Sequence, residues 1–164
     1  MDNCWANFTG ECKGPISREH YYPKSIHLVS EDELITVGGF SWCQEPKKIP
    51  LKNLVIKSLC KHHNETLSML DSEVGKIKNV IKQSVQSAEK GHNSVNEIYI
   101  LDLNSELMSR WCAKTYCNLL TMYNRDNDKE FAKFALGLDT SAEFYFWIIN
   151  PDEITTVNLN ETIR

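Results

Sequence analysis

Leu67, Leu70, Val74, Ile77, Ile81 and Val85 recur at spacings of three and four, which draws one apolar stripe along a helix with a polar back. The pattern predicts a long helix from Lys61 to about Lys90, closed by Gly91 just past its end. A second amphipathic helix is expected over Ser105 to Tyr123, with Leu107, Met108, Trp111, Leu119 and Leu120 as its apolar positions, and a third, short one over Lys129 to Leu136. The strand signals are weaker. Leu34 to Trp42 reads as a strand broken or bulged at Gly38-Gly39. Leu51 to Leu59 reads as another short strand, and Glu97 to Leu101 as a further candidate. Lys47-Lys48-Ile49-Pro50 reads as a loop, while the aromatic run from Glu143 to Asn150 suits strand or helix equally. Residues 1 to 26 form a loop-rich knuckle leading into an extended piece, Pro15 to His20, with Pro23 forcing a turn or extended geometry at Tyr22. The class is α+β.

Composition narrows this picture. The chain has 164 residues, 41% of them hydrophobic, enough for one packed domain or a small module with a helical extension. The expected division is residues 1–91 and a mainly helical 92–164 packed against them, or a single domain. No apolar run approaches the roughly 20 residues that span a bilayer. Met1-Asp2-Asn3-Cys4-Trp5 lacks the features of a secretory leader, so a cytoplasmic location is the expectation. Six cysteines without an export signal then read as thiols or thiolates, with Cys112 and Cys117 as small buried apolar residues of a helix. The net charge of −4 is unevenly spread. Lysines 47, 48, 52, 57 and 61 face a single acid, Glu45, whereas the stretch from Arg125 to Arg164 is acidic. Such asymmetry steers a polyanion onto one face, and is equally what a solvated lysine-rich surface looks like.

Candidate chemistry lies in two short stretches, Ser17-Arg18-Glu19-His20 and Leu59-Cys60-Lys61-His62-His63-Asn64. Cys4, Cys12, Cys60 and His63 offer three sulfurs and one nitrogen, a set common in closed structural zinc sites. The two-residue gap between Cys60 and His63 suits one ion. The wide gap between Cys4 and Cys12 requires the amino-terminal loop to fold back, and Cys43 or His62 are alternates for one ligand. Asn64 is either an oxygen ligand or an amino-terminal helix cap. Glu19 and His20 sit side by side, so a strand here would point them to opposite faces.

Taken together, Arg18-Glu19-His20 with Pro23-Lys24, then Lys52-Asn53-Leu54, then Leu59-Cys60-Lys61-His62-His63-Asn64, resemble the HNH endonucleases. The likeness covers residues 4 to 71, and Arg110 to Thr115 is loosely similar to a later helix of such proteins. The resemblance implies a ββα-metal core with a zinc knuckle, followed here by amphipathic helices and a short extra strand region. It implies His20 as general base, Asn53 orienting its imidazole, and Glu19 and Asn64 holding a catalytic Mg²⁺ or Mn²⁺. Arg18, Lys24, Lys47, Lys52 and Lys57 would then contact DNA phosphates. The implied activity is metal-dependent hydrolysis of DNA phosphodiesters, by a monomer or a homodimer. The alternative is a non-catalytic zinc-braced adaptor or inhibitor, whose acidic carboxy-terminal half docks onto a basic protein partner.

Overall fold

In the computed structural model, residues 3–20, 33–40, 42–89, 101–141 and 144 are described. The expected strand at Glu97 to Leu101 (all but Leu101), the run from Glu143 to Asn150 (all but Phe144), Gly91 and Lys24 lie outside them. The described chain is mixed α+β, with two small antiparallel sheets and a set of helices.

One sheet pairs β1 (Glu19–His20) with β4 (Val55–Ile56), Glu19 opposite Ile56 and His20 opposite Val55. The pairing extends as extended chain towards the next helix, with Ser17 N–H donating to Leu59 O at 2.8 Å and Lys61 N–H to Pro15 O at 2.9 Å. The segment between these strands holds the second sheet, β2 (Leu34–Val37) against β3 (Lys47–Pro50). The loop expected at Lys47 to Pro50 is therefore a strand. Only Ile49 of its four residues is an inward apolar group, so it has no visible period of two, and its pairing with Leu34 to Val37 makes it a strand. Likewise, Leu51 to Leu59 holds a 3-10 turn (Leu51–Asn53) and only the two residues of β4.

The long helix divides. α1 (Lys61–Thr66) ends at Leu67 and α2 (Ser68–Glu89) follows at once, with Ser68 Oγ donating to Glu65 O at 2.7 Å across the joint. Leu67, Leu70 and Val74 are buried, but Ile81 and Val85 farther along the same stripe are 43% and 47% exposed. α3 (Ser105–Met122) starts where Asn104 Oδ1 accepts from Leu107 N–H at 3.0 Å. α4 (Lys129–Leu136) starts where Asp128 Oδ1 accepts from Glu130 N–H at 2.7 Å. These are side-chain amino-terminal caps, which supply acceptors to helix N–H groups that have none within the helix.

The main core gathers Cys4, Trp5, Leu59, Cys60, Leu67 and Leu70 from the amino-terminal half with Ala113, Cys117, Ala132 and Ala135 from α3 and α4. Both halves of the chain therefore close one core. A smaller cluster of Val37, Leu51, Leu54 and Met122 seats the β2–β3 sheet on the end of α3. Among the described residues no helix is long and apolar enough to cross a membrane.

Candidate metal centre and adjoining cleft

Cys60 is the residue at which α1 begins, in extended conformation at φ −71° and ψ 161°. A side chain in that position faces the N–H groups two and three residues on, which places the Cys60 thiol over His63. Cys60 Sγ lies 3.2 Å from His63 Nδ1. Asn64 is then a residue inside the helix and not its cap, its N–H donating to Cys60 O.

The other two thiols arrive from the amino-terminal loop. A 3-10 turn over Asn7–Thr9 ends at Gly10, whose φ of 74° is a left-handed conformation glycine adopts without strain. That reversal folds the chain back, and the seven intervening residues become one compact loop with Cys4 and Cys12 at its two ends. Cys4 Sγ is 3.5 Å and Cys12 Sγ 3.7 Å from the same His63 Nδ1. In a tetrahedral site with Zn–S of about 2.3 Å and Zn–N of about 2.0–2.1 Å, sulfur and nitrogen are about 3.5–3.6 Å apart. The four donor atoms all lie within 4.8 Å of one another. They are placed to hold one metal ion.

The imidazole is also in the correct form. Thr9 Oγ1 donates its single proton to Ala6 O at 3.0 Å, so its 3.0 Å contact with His63 Nε2 requires Nε2 to be the donor. Nδ1 is therefore left with its lone pair towards the three sulfurs. Burial, and then the neighbouring His62, lower the His63 pKa and keep that lone pair free of a proton. Burial raises the Cys4 thiol, and burial with the neighbouring Cys4 and Cys60 thiols pushes Cys12 up to about 12. Burial also acts against ionisation of Cys60, but the backbone N–H groups of His63 and Lys13 together with the Cys12 and Cys4 thiols outweigh it and lower that pKa. Three thiolates this close repel one another unless a cation sits among them. Cys43 is no part of this group: its Sγ lies in the β2–β3 loop against Val37 O and Glu45 O, both at 3.3 Å. Nor does His62 replace His63; it groups instead with Glu11 and His63.

Next to this centre is a cleft of about 540 Å³. Glu19 and His20 from β1, Asn64 from α1, and Asp71 and Lys78 from α2 line it. The acid, imidazole and carboxamide singled out in the sequence are thus all among the residues that line this cleft. A hydrogen bond from Asn64 helps hold Glu19 as carboxylate. Asn53 is exposed in its 3-10 turn and is not among the residues lining the cleft. Arg18, Lys47, Lys52 and Lys57 are exposed and scattered: Lys47 lies 5.0 Å over the Trp42 ring, and Lys57 follows β4.

Side chains of α3, none of them among the residues lining the cleft, hold its carboxylates. Lys114 of α3, wholly buried, places its Nζ 3.0 Å from Glu19 Oε1 and 2.6 Å from Asp71 Oδ2. Trp111 Nε1–H, one turn earlier, donates to Asp71 Oδ1 at 3.2 Å. One turn later, Asn118 Oδ1 accepts from both Trp5 Nε1–H (3.0 Å) and Ser58 Oγ–H (2.7 Å), tying α3 to the cysteine loop. Burial raises the Glu19 pKa; Lys114 opposes that and Asp71 adds to it. A signal was present in the sequence: Lys114 and Asn118 continue the spacing of Leu107 and Trp111, where a buried helix face ordinarily carries apolar groups. No family model matches this chain, and neither a curated protein nor a solved structure matches it.

Proposed function

We propose that the chain is a zinc-braced HNH-type nuclease, in which the Cys4, Cys12, Cys60 and His63 centre is a structural zinc site. The observation that carries this reading is that Glu19, His20 and Asn64 all line one cleft, beside an antiparallel strand pair followed by a helix. Three sulfurs and one imidazole nitrogen suit zinc better than a hard cation. Its role is to hold β1 against the start of α1, and hence the cleft residues against one another.

In this reading a phosphodiester enters the cleft beside Lys78, whose ammonium attracts it without reading sequence. His20 takes the proton from a water molecule as its oxygen bonds to phosphorus, and one ester P–O bond breaks to give an alcohol and a phosphomonoester. Glu19, Asn64 and Asp71 offer the oxygen donors a hard divalent cation takes, and with Glu65 the three carboxylates of the cleft outnumber the ammonium groups of Lys78 and Lys114. Glu19 and Asn64 would hold that Mg²⁺ or Mn²⁺. When bound, such an ion supplies Lewis-acid stabilisation of charge on the phosphate. Lys114 opposes the effect of burial on Glu19 and fixes its carboxyl group, which positions it for this role.

A second reading, a binding protein without catalysis, is favoured by one specific observation. Lys114 is already in contact with both carboxylates, as an internal cation satisfying them. Incubation of zinc-loaded protein with supercoiled DNA and Mn²⁺ or Mg²⁺ separates the two. Nicking that disappears in His20→Ala and persists in His62→Ala supports the nuclease; intact plasmid with either metal favours the binding protein.

A further inference from the structure

A larger cavity, about 840 Å³, opens away from the cleft between the cysteine loop, the end of β4 and the turn joining α3 to α4. None of Glu19, His20 or Asn64 lines it. Its volume is in the range of sites that enclose small organic ligands and far exceeds what a bare phosphate needs. Three cations, Lys57, Arg125 and Lys129, line it against one acid, Asp126. They come from separate elements, so their convergence is a product of the fold.

The turn that carries Arg125 is fixed in place. Arg125 N–H donates to Leu120 O at 2.9 Å, and Asn127 Nδ2 donates to Thr121 Oγ1 at 2.9 Å. Asp128 then begins α4 as its cap. The guanidinium and the Lys129 ammonium are thus presented from a pre-organised backbone, which lowers the entropy lost on binding an anion. Trp42, 41% exposed, and an edge of the mostly buried Trp5 also line it, while Asn3 and Asn7 add side chains that both donate and accept hydrogen bonds. Clustered positive charge, aromatic surface and paired donor–acceptor groups match the three parts of a nucleotide: phosphate, base faces and base edges.

We propose that this cavity is a nucleotide-binding site, separate from the cleft, in which Arg125, Lys129 and Lys57 hold the phosphate and the tryptophan side holds the base. The nucleotide is either free or the end of a nucleic-acid strand. Because the cavity shares the Cys4 loop with the metal centre, the site belongs to the zinc-loaded protein.

The test is a titration of the zinc-loaded protein followed by tryptophan fluorescence, since Trp5 and Trp42 both line the cavity. One arm uses adenosine diphosphate and the other a short 5′-phosphorylated DNA strand. Saturable quenching by the diphosphate identifies a free nucleotide as the occupant; quenching by the strand alone identifies a strand end. In either case the double variant Arg125→Gln, Lys129→Gln, altered at two exposed positions, binds about tenfold or more weakly. Lys48→Gln, an exposed cation of β3 outside the cavity, binds as the parent does. Absence of quenching in both arms overturns the proposal, as does unchanged affinity in the double variant. The readout is binding and not cleavage, so it stands or falls apart from the nuclease reading.

Discussion

Lys114→Met replaces a wholly buried ammonium by an apolar side chain of similar length, and strands two carboxylates. It abolishes the 3.0 Å ion pair with Glu19 and the 2.6 Å ion pair with Asp71. At an effective dielectric near 20, a unit-charge pair about 3 Å apart is worth about 5–6 kcal/mol before desolvation. Removing one member of a buried pair costs about 3–5 kcal/mol net. For a chain of this size that is a fall in Tm of about 6–20 °C. The pH dependence has a definite sign. Burial raises the folded-state pKa of Glu19 above its ordinary value, and loss of Lys114 raises it further. A carboxyl so shifted is tolerated while protonated, below its unfolded pKa of about 4.5, and destabilises the fold as pH rises through the raised value. The deficit of Lys114→Met relative to the parent is therefore smallest near pH 4.5 and grows towards pH 7.5. Thermal melts of the two proteins across that range measure it, and adding Glu19→Gln recovers part of the loss at neutral pH. A deficit under about 1 kcal/mol at pH 7, the size of an exposed pair, or one that does not change with pH, would refute the electrostatic account of Lys114.

Metal analysis of the purified protein gives close to one zinc per chain, and Cys60→Ala loses both the zinc and cooperative unfolding. Structural zinc contributes about 10–16 kcal/mol of apparent folding free energy, comparable to the whole stability of a domain; an unaltered melt in that variant would discard the centre. Thr9→Val removes the hydroxyl that receives the His63 Nε2 proton, and weakens zinc binding about 10–100-fold in competition with a chelating dye. Equal affinity would show that the tautomer is not held there. Glu130 is held at about 2 by Lys133, with Thr140 and the Ser141 N–H assisting. Its contribution is complete above the unfolded value of about 4.5 and is lost as pH falls towards 2. The Tm difference between parent and Glu130→Gln accordingly narrows across that window, and a constant difference would speak against it.

The helices were legible in the sequence where local signals and tertiary packing agree. The helices expected over Ser105 to Tyr123 and Lys129 to Leu136 are found as α3 and α4, where Asn104 and Asp128 supply caps at their starts. Half of the ligand set was legible for a similar reason, because the Cys60 and His63 spacing at a helix start is set locally, whereas Cys4 and Cys12 reach it only through the folded amino-terminal loop. What local patterning does not carry was not legible. β3 is a strand only through its partner β2, and the outer half of the α2 stripe, at Ile81 and Val85, stays exposed among the described residues. Lys114 has its role only because β1 and α2 bring Glu19 and Asp71 to it from positions 95 and 43 residues earlier in the chain. Asn53 failed in the opposite direction: its place in the motif suggested a role that its exposed 3-10 turn does not support.

Asn118 joins Trp5 and Ser58 through a single carbonyl oxygen, and so closes the amino-terminal loop with a residue from α3. During synthesis all four sulfur and nitrogen donors are made before that asparagine. The nascent first half then carries a hole in its interior where α3 and α4 belong. A chain halted before α3 would leave the apolar side chains of its first half exposed.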